Sequence, residues 1–189
     1  MNKVIAKKVL LECLKTGGDF AEIFFEDNQK NTIKMVKDHI DDINVMHVYG
    51  AGIRILKENA EVYGYTNEVD EQGLMKLAEK LNKAYQAEQI IKDFEFKEFN
   101  KEQTTIINRC SKDIDNSLKI GYLKTCCKAI MNYSDKIVQA ISTLTDETQF
   151  VTIANSNGVF KNDVRNHQRV FAIAIASDEN GMQQASDSY

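Results

Sequence analysis

The apolar positions at the start of the chain follow a helical spacing. Residues 3–15 carry them at three- and four-residue steps, namely Val4, Ile5, Val9, Leu10 and Leu14. Lysine and glutamate side chains occupy most of the other face. This pattern predicts an amphipathic first helix, and the glycine pair at 17–18 is expected to end it.

After residue 19 the period changes to two, which predicts a series of antiparallel strands. The predicted strands cover residues 20–26, a segment through Ile33, Met35 and Lys37, residues 42–56, and residues 62–66. Polar turns are expected at 27–29, at Asp41-Asp42 and at 57–59. Asp70 then caps a second predicted helix. Its apolar positions again recur at helical steps, at Leu74, Leu77, Ala78, Leu81, Ala84 and Tyr85.

Later in the chain, a helix followed by strands is predicted again. Ser111 opens the third predicted helix, whose apolar stripe is Ile114, Leu118, Tyr122, Cys126, Ala129, Ile130 and Tyr133. Strands resume near residue 136, and Asn157-Gly158 predicts a type I′ hairpin turn. The last predicted strand covers 169–176, and we expect the segment Met182–Tyr189 to be without a partner strand in this chain.

Together these elements predict an α+β fold, mainly an antiparallel sheet with three principal helices. We expect a first lobe over residues 1–91, a connection over 92–110 that contains Phe94, Phe96 and Phe99, and a second lobe over 111–189. The pattern leaves open whether these are two similar α/β lobes or parts of one compact domain. The length of 189 residues and the hydrophobic content of 43% allow either.

Charge and composition exclude several classes of partner. The net charge is −4, and the longest basic run is Lys7-Lys8, so a surface that tracks nucleic-acid phosphates is not expected. Lysines interrupt the N-terminus where a signal peptide needs apolar residues, and the sequence has no apolar window of about 18 residues. The chain is therefore predicted to be cytoplasmic and free of the membrane. Its four cysteines have no C-x-x-C spacing, which indicates reduced thiols.

Few residues suggest chemistry of their own. His39, Asp41, Asp42 and His47 are metal-ligand types, but the turn expected at Asp41-Asp42 would break their common strand face. No G-x-S-x-G or cysteine-enzyme context accompanies His167. Gly50-Ala51-Gly52 enters a strand and lacks the third glycine of a dinucleotide loop.

Arg54 is the one candidate substrate-binding residue, because it lies between Ile53 and Ile55 in an apolar strand. An unpaired guanidinium that faced inward there would be costly. Three interpretations remain open: Arg54 faces solvent, pairs with a carboxylate, or contacts a peptide.

Several segments resemble the TldD/PmbA family of metallopeptidases, and its TldD branch in particular, in their order and spacing. They are Gly18-Asp19-Phe20-Ala21-Glu22-Ile23-Phe24-Phe25-Glu26, Gly50-Ala51-Gly52-Ile53-Arg54-Ile55-Leu56, Tyr63-Gly64-Tyr65-Thr66-Asn67, Val151-Thr152-Ile153-Ala154-Asn155-Ser156-Asn157-Gly158, and residues 165–176. The resemblance implies a cytoplasmic peptidase, historically also described as a modulator of DNA gyrase. Such a peptidase cuts small or unfolded peptides in a channel between two subunits of a homo- or heterodimer.

The resemblance also implies a zinc site built from an H-E-x-x-x-H helix and a later cysteine. No histidine here precedes a glutamate: Ile40 follows His39, Val48 follows His47, and Gln168 follows His167. We therefore expect no catalytic or metal-binding residue in this chain, with zinc and the catalytic C-terminal domain belonging to the full-length protein. The chain would then be an inactive scaffold and substrate-channel domain. The alternative is a stand-alone peptide-binding or regulatory module that acts through a protein partner.

Overall fold

The computed structural model describes residues 1–97 and 107–189. Phe99 and the part of the predicted connection at 98–106 lie outside the described residues. Within the described part, the elements run in the order α1 (Lys3–Leu14), β1 (Phe20–Val36), β2 (His39–Lys57), β3 (Ala60–Thr66), α2 (Glu71–Asn82), a 3-10 turn (Ser111–Asp113), α3 (Asn116–Met131), β4 (Ile137–Asn155), β5 (Phe160–Asp178) and β6 (Gly181–Ser188).

The predicted α+β class is confirmed, since the described residues form a six-stranded antiparallel sheet and three α-helices. The strands are ordered β3-β2-β1-β4-β5-β6. Each half of the chain thus contributes three strands that are consecutive in sequence and adjacent in the sheet. Among the described residues, no helix is both long and apolar enough to cross a membrane.

Helix α1 begins where the Asn2 side chain accepts a hydrogen bond from the Ile5 backbone N–H at 2.9 Å. Gly17 follows the helix with φ at +91°, a conformation that glycine adopts without strain. The buried face is made up of Ala6, Val9, Leu10, Glu12, Cys13 and Leu14. The prediction was wrong for Val4, which is 65% exposed. It also missed the burial of Glu12, whose carboxylate accepts a hydrogen bond from Asn82 Nδ2 at 3.0 Å.

Strands β1 and β2 are each continuous, so the turns predicted at 27–29 and at Asp41-Asp42 are wrong. Asn28 stays in β1 because its side-chain amide donates to Glu147 Oε1 at 2.6 Å. The turn lies at residues 37–38 instead, where Lys37 adopts a φ of +56°. The Asp41 carboxylate lies within β2, 2.7 Å from Lys34 Nζ.

The apolar stripe predicted for the third helix is displaced by one residue. Ser111 opens a 3-10 turn, and α3 itself begins after Asp115, whose side chain accepts from the Ser117 backbone N–H at 2.7 Å. The buried residues of α3 are Lys119, Leu123 and Cys127. The predicted stripe residues Leu118, Tyr122 and Tyr133 are exposed.

The predicted hairpin between β4 and β5 is present, but its turn is not type I′. Type I′ needs positive φ at both central residues. Only Lys37 and Glu58 have positive φ among the described non-glycine residues, while Gly158 has a φ of +88°. Asn155 closes the turn, since its carbonyl accepts from the Gly158 N–H at 3.1 Å.

The segment expected to be orphaned at the end of the chain forms strand β6. It pairs antiparallel with β5 from Asp178↔Gly181 to Phe171↔Ser188. Backbone hydrogen bonds of 2.9 Å also join Val170 and Tyr189 in both directions. This pairing corrects the expectation that Met182–Tyr189 has no partner in the chain.

Two compact units are distinguished by their internal contacts. The described part of unit 1 comprises residues 1–27, 48–97 and 150–164, and that of unit 2 comprises 28–47, 107–149 and 165–189. The buried core of unit 1 is formed by Ala6, Val9, Leu10, Cys13, Leu14, Ala21, Ile23, Ala51, Ile53, Ile55, Leu74, Ala78, Leu81 and Ala154. The core of unit 2 is smaller and consists of Ile33, Met35, Leu123, Cys127, Ala140 and Leu144. The lobe boundaries expected from the sequence stay a prediction.

Candidate functional site

Strands β1, β2 and β3 of unit 1 have one covered face and one open face. Ala21, Ile23, Ile53 and Ile55 are buried in the same core as residues of α1 and α2. Because side chains alternate along a strand, the residues between them point to the other face. The strand register places Gly52 opposite Tyr65 and Arg54 opposite Tyr63 on that open face.

A groove of about 320 Å³ lies along β2 and the end of β3, with two residues of β1 also in its lining. Its lining consists of Phe24, Glu26, Val48, Tyr49, Gly50, Ala51, Gly52, Tyr63, Tyr65, Thr66 and Asn67. This volume falls at the lower end of the range typical of ligand pockets, which suits one or two residues of a peptide.

Two positions of β2 that line the groove, Gly50 and Gly52, have no room for a side chain. A Cβ on Gly50 would lie 2.8 Å from the Thr66 carbonyl oxygen, and a Cβ on Gly52 would lie 2.5 Å from the Tyr63 hydroxyl. The Tyr63 ring therefore lies across Gly52. The close approach expected at Gly50-Ala51-Gly52 from the sequence has a structural explanation here.

Aromatic side chains make the walls, and several of them are exposed to an unusual degree. Tyr63 is 59% exposed and Tyr65 is 77% exposed. The Tyr49 ring instead makes an edge-to-face contact with Phe25, which packs against the core on the covered face, with the ring centroids 5.6 Å apart. Exposed tyrosines around a concave surface are typical of binding sites, since their rings offer contact area together with a polar hydroxyl.

Arg54 lies next to this groove and is paired with carboxylates. Its Nη2 donates to Glu22 Oε1 at 3.0 Å, and its Nη1 is 3.9 Å from Glu61 Oε2. Asn155 Nδ2 reaches the second oxygen of Glu22 at 3.5 Å. Of the three interpretations of Arg54, the structure shows the carboxylate pair; contact with a peptide substrate stays a prediction.

The four residues of β2 with metal-ligating side chains do not form a metal site. With β2 continuous, His39, Asp41 and His47 share one strand face, contrary to the expected break in register. His39 and His47 are nevertheless about 26 Å apart along the strand, at 3.3 Å per residue. Among residues 1–97 and 107–189, no three His, Cys, Asp or Glu side chains are close enough to hold a metal ion. The described residues therefore do not fit the zinc that the family resemblance implies.

Two of the four cysteines, Cys13 and Cys126, have thiol pKa values shifted away from the reactive thiolate. All four are free thiols, and burial raises the pKa of Cys13 to about 12, with the neighbouring Glu12 charge adding to the effect. Burial also raises the pKa of Cys126. The Cys127 sulfur lies 3.1 Å from the Ser142 hydroxyl in the core of unit 2. A catalytic cysteine needs the opposite shift, toward the thiolate.

The sequence indicated part of this site and missed the rest. Gly50, Gly52, Tyr63 and Tyr65 all lie in segments that carry the family resemblance, but the alternation of Tyr63 and Tyr65 about Gly64 was not interpreted as a binding wall. Strand periodicity alone could have placed both rings on one face.

Family models match most of the chain. Residues 21–87 match domain 1 of the PmbA/TldA metallopeptidases, and residues 109–189 match their central domain. A metalloprotease of Methanocaldococcus jannaschii is 28% identical over 137 residues, which are 72% of this chain and 28% of that protein.

Solved structures share the fold. A proposed modulator of DNA gyrase from Bacteroides thetaiotaomicron superposes with a TM-score of 0.73 at 15% identity, over 100% of this chain and 44% of that one. A second such protein, from Thermotoga maritima, gives 0.72 at 16% identity, over 99% of this chain and 42% of that one. TldE from Thermococcus kodakarensis gives 0.64 at 11% identity, with 97% and 42% covered.

The chain thus spans between 28% and 44% of the length of these relatives. Its first matched segment contains the glycines and tyrosines of the groove, and its second contains α3 and strands β4 to β6. The chain belongs to the PmbA/TldD metallopeptidase family, of which it carries domain 1 and the central domain.

Proposed function

We propose that this chain is the scaffold and substrate-channel part of a zinc metallopeptidase that acts on small or unfolded peptides. The observation that carries this proposal is the groove over Gly50 and Gly52, walled by exposed tyrosines. It lies on the open face of a sheet, where an extended peptide can lie without displacing a packed element.

The groove favours a peptide for two physical reasons. Its floor carries no side chain at Gly50 and Gly52, and the Tyr63 ring that lies across Gly52 gives a ligand an aromatic surface beside that floor. Tyr63 and Tyr65 offer planar surfaces that accept different side chains, which suits a peptidase with many substrates.

We further propose that this chain has no hydrolytic activity of its own and that the zinc ligands belong to a part of the full-length protein other than these residues. Support comes from the sequence, in which no histidine precedes a glutamate. The full-length protein would be a cytoplasmic homo- or heterodimer with another family member. When bound, zinc would supply carbonyl polarisation and water activation to the reaction.

A binding measurement tests the proposal directly. A short, unstructured, fluorescein-labelled peptide should raise its fluorescence anisotropy when this chain is added. Tyr65→Ala should weaken that binding at least about fivefold, since aromatic anchors contribute on the order of 1–2 kcal/mol. Tyr133→Ala is the matched control, because Tyr133 is an exposed tyrosine on the other compact unit.

Two outcomes would contradict the proposal. If Tyr65→Ala and Tyr133→Ala bind equally well, the groove does not hold the peptide. If the chain cuts the peptide in a chelator-sensitive way and carries one equivalent of zinc, the catalytic site lies within it and the scaffold assignment fails.

A further inference from the structure

Unit 2 contains a cavity of about 490 Å³ between α3 and the turn that joins β1 to β2. Its lining consists of Lys37 and Asp38 from the turn and Lys124, Cys127, Lys128 and Met131 from α3. The three lysines are exposed, whereas Cys127 is buried. The cavity therefore combines three positive charges with a small apolar surface, and its volume is within the range of small-molecule pockets.

The ammonium groups of these lysines have no counter-ion among the described residues. Within residues 1–97 and 107–189, no carboxylate lies at ion-pair distance from Lys37, Lys124 or Lys128. The one carboxylate of the lining, that of Asp38, lies 3.1 Å from His39 Nε2 instead. Three lysines and one aspartate give the lining a formal charge of +2, although the whole chain has a net charge of −4.

The two lysines of α3 are close to each other. Lys124 and Lys128 are four positions apart in the helix, so their side chains are neighbours on one face, and like charges at this spacing destabilise a helix. Lys128 lies in the last turn, where it offsets the partial negative charge of the helix C-terminus. That effect is confined to the last turn and does not explain Lys124. A bound anion would offset the repulsion between both lysines.

The third lysine comes from a different element. Lys37 lies in the β1–β2 turn with a φ of +56°, a conformation that is uncommon for residues other than glycine. Its backbone N–H donates to the Ala140 carbonyl of β4 at 2.8 Å, which ties the turn to the sheet. The fold thus brings Lys37 to the same cavity as the two lysines of α3.

This lining suits a phosphate better than a carboxylate. A phosphate monoester carries a charge of about −1.5 to −2 at neutral pH, which complements the formal charge of +2. Lysine binds phosphate as a point charge, whereas arginine is the residue that recognises a planar carboxylate at two points, and the lining contains no arginine. Cys127 and Met131 add apolar surface, and a methionine sulfur makes favourable contacts with aromatic rings.

We propose that this cavity binds a small organic phosphate. Lys37, Lys124 and Lys128 hold the phosphate group, and the apolar or aromatic part of the ligand packs against Cys127 and Met131. All six lining residues belong to unit 2, whereas the groove of the proposed peptide site belongs to unit 1. The phosphate site therefore does not depend on peptide binding or on the metallopeptidase reaction.

Four matched probes separate the contributions of charge and ring. Phenyl phosphate carries both, inorganic phosphate has the charge alone, benzyl alcohol has a neutral ring, and benzoate has a ring with a single charge. NMR of the chain with ¹³C-methyl methionine reports their binding, and Met131→Leu identifies the Met131 signal. Phenyl phosphate should shift this signal saturably and leave that of Met182 in β6 unchanged. Its affinity should exceed that of inorganic phosphate about tenfold, as expected if roughly 60 Å² of ring surface is buried.

Charge-removing variants locate the phosphate. Lys124→Gln/Lys128→Gln should weaken phenyl phosphate binding about tenfold, and Lys37→Gln alone should weaken it about threefold, as expected for partly exposed charge pairs. The matched control is Lys76→Gln/Lys80→Gln, which removes two exposed lysines at the same spacing from α2. This control should bind as the parent chain does. Circular dichroism confirms that each variant is folded.

Several results would overturn the inference. The cavity is not a binding site if phenyl phosphate causes no saturable shift at Met131. It is an apolar pocket if benzyl alcohol binds as tightly as phenyl phosphate, and a general anion site if benzoate or inorganic phosphate does. Equal binding by the parent and Lys124→Gln/Lys128→Gln places the phosphate elsewhere. An equal loss in Lys76→Gln/Lys80→Gln shows that net charge, rather than this cavity, governs binding.

Discussion

At the scale of single residues, the most unusual feature outside the groove is a buried ion pair in unit 2. Lys119 Nζ lies 2.8 Å from Asp146 Oδ2, and the two residues are only 4% and 2% exposed. Asn31 Nδ2 also donates to Asp146 at 3.3 Å. Burial removes the hydration of both charges, so each depends on the other for its stability.

Removing one partner of this pair should be strongly destabilising. Asp146→Ala leaves the Lys119 ammonium buried without its counter-ion, and we expect a loss of about 3–5 kcal/mol in the free energy of unfolding. The double variant Lys119→Met/Asp146→Leu should recover most of that loss, because neither charge is then left alone. Urea unfolding curves of the three proteins measure both effects.

The matched control is the exposed pair Lys136–Asp178, which has the same separation of 2.8 Å. Its hydrogen bond from Lys136 lowers the pKa of Asp178, yet solvent screens this pair. Asp178→Ala should change the urea midpoint far less than Asp146→Ala does. Equal shifts for the two variants would show that burial is not what makes the Lys119–Asp146 pair important.

At the scale of elements, the sequence predicted which segments are helices and strands better than where they end. Helix α2 begins at the predicted Asp70 cap, whose side chain accepts from the Gly73 N–H at 2.8 Å. By contrast, the polar runs at 27–29 and 41–42 were interpreted as turns. They remain in strands because Asn28 bonds to Glu147 and Asp41 pairs with Lys34, partners that lie on other strands. Local polarity cannot show such partners.

The candidate site, like the element boundaries, was predicted only in part from the sequence. The glycines of β2 were recognised as a place of close backbone approach, and the structure shows which atoms approach them. That Tyr63 lies across Gly52 depends on the pairing of β2 with β3 in one register. A one-residue slip would put Tyr63 and Tyr65 on the covered face together with Glu61, and burial of that carboxylate disfavours the slip.

The displaced stripe of α3 leads to a prediction about two adjacent residues. Leu123 is buried, whereas Tyr122, which the sequence pattern placed in the core, is 61% exposed. Leu123→Ala should lower the free energy of unfolding by about 2–5 kcal/mol, because it leaves a cavity in the core of unit 2. Tyr122→Ala should stay within about 0.5 kcal/mol of the parent. If thermal unfolding ranks the two variants in the opposite order, the helix presents the face that the sequence pattern indicated.

At the scale of the whole molecule, the two halves of the chain follow the same order, a helix and then three strands. The sheet order β3-β2-β1-β4-β5-β6 places the first strand of each half side by side. β6 therefore ends the sheet on one side. On the other side β3 is short and covers only the part of β2 from Ala51 to Lys57. Within the described residues, the earlier part of β2 has β1 as its strand neighbour and no strand on its other side.

These two edges differ in character. β6 is polar along most of its length, with Gln183, Gln184, Ser186 and Asp187. The exposed part of β2 carries Ile40, Ile43, Val45, Met46 and Val48. Free backbone N–H and C=O groups beside exposed apolar side chains favour pairing with another strand, while a polar edge resists it. Although the sequence pattern directed attention to Met182–Tyr189, the structure makes β2 the edge more prone to association.

We therefore expect this chain to self-associate at high concentration through β2 rather than β6. Val45→Lys places a charge on the apolar edge and should shift sedimentation-velocity profiles toward the monomer. Met182→Lys is the matched control, since Met182 is an apolar residue of β6 exposed to 67%, close to the 70% of Val45. Its profile should match that of the parent chain. If Met182→Lys dissociates the assembly and Val45→Lys does not, association occurs through β6 and this prediction is wrong. A parent chain that stays monomeric at every concentration would mean that neither edge recruits a second copy.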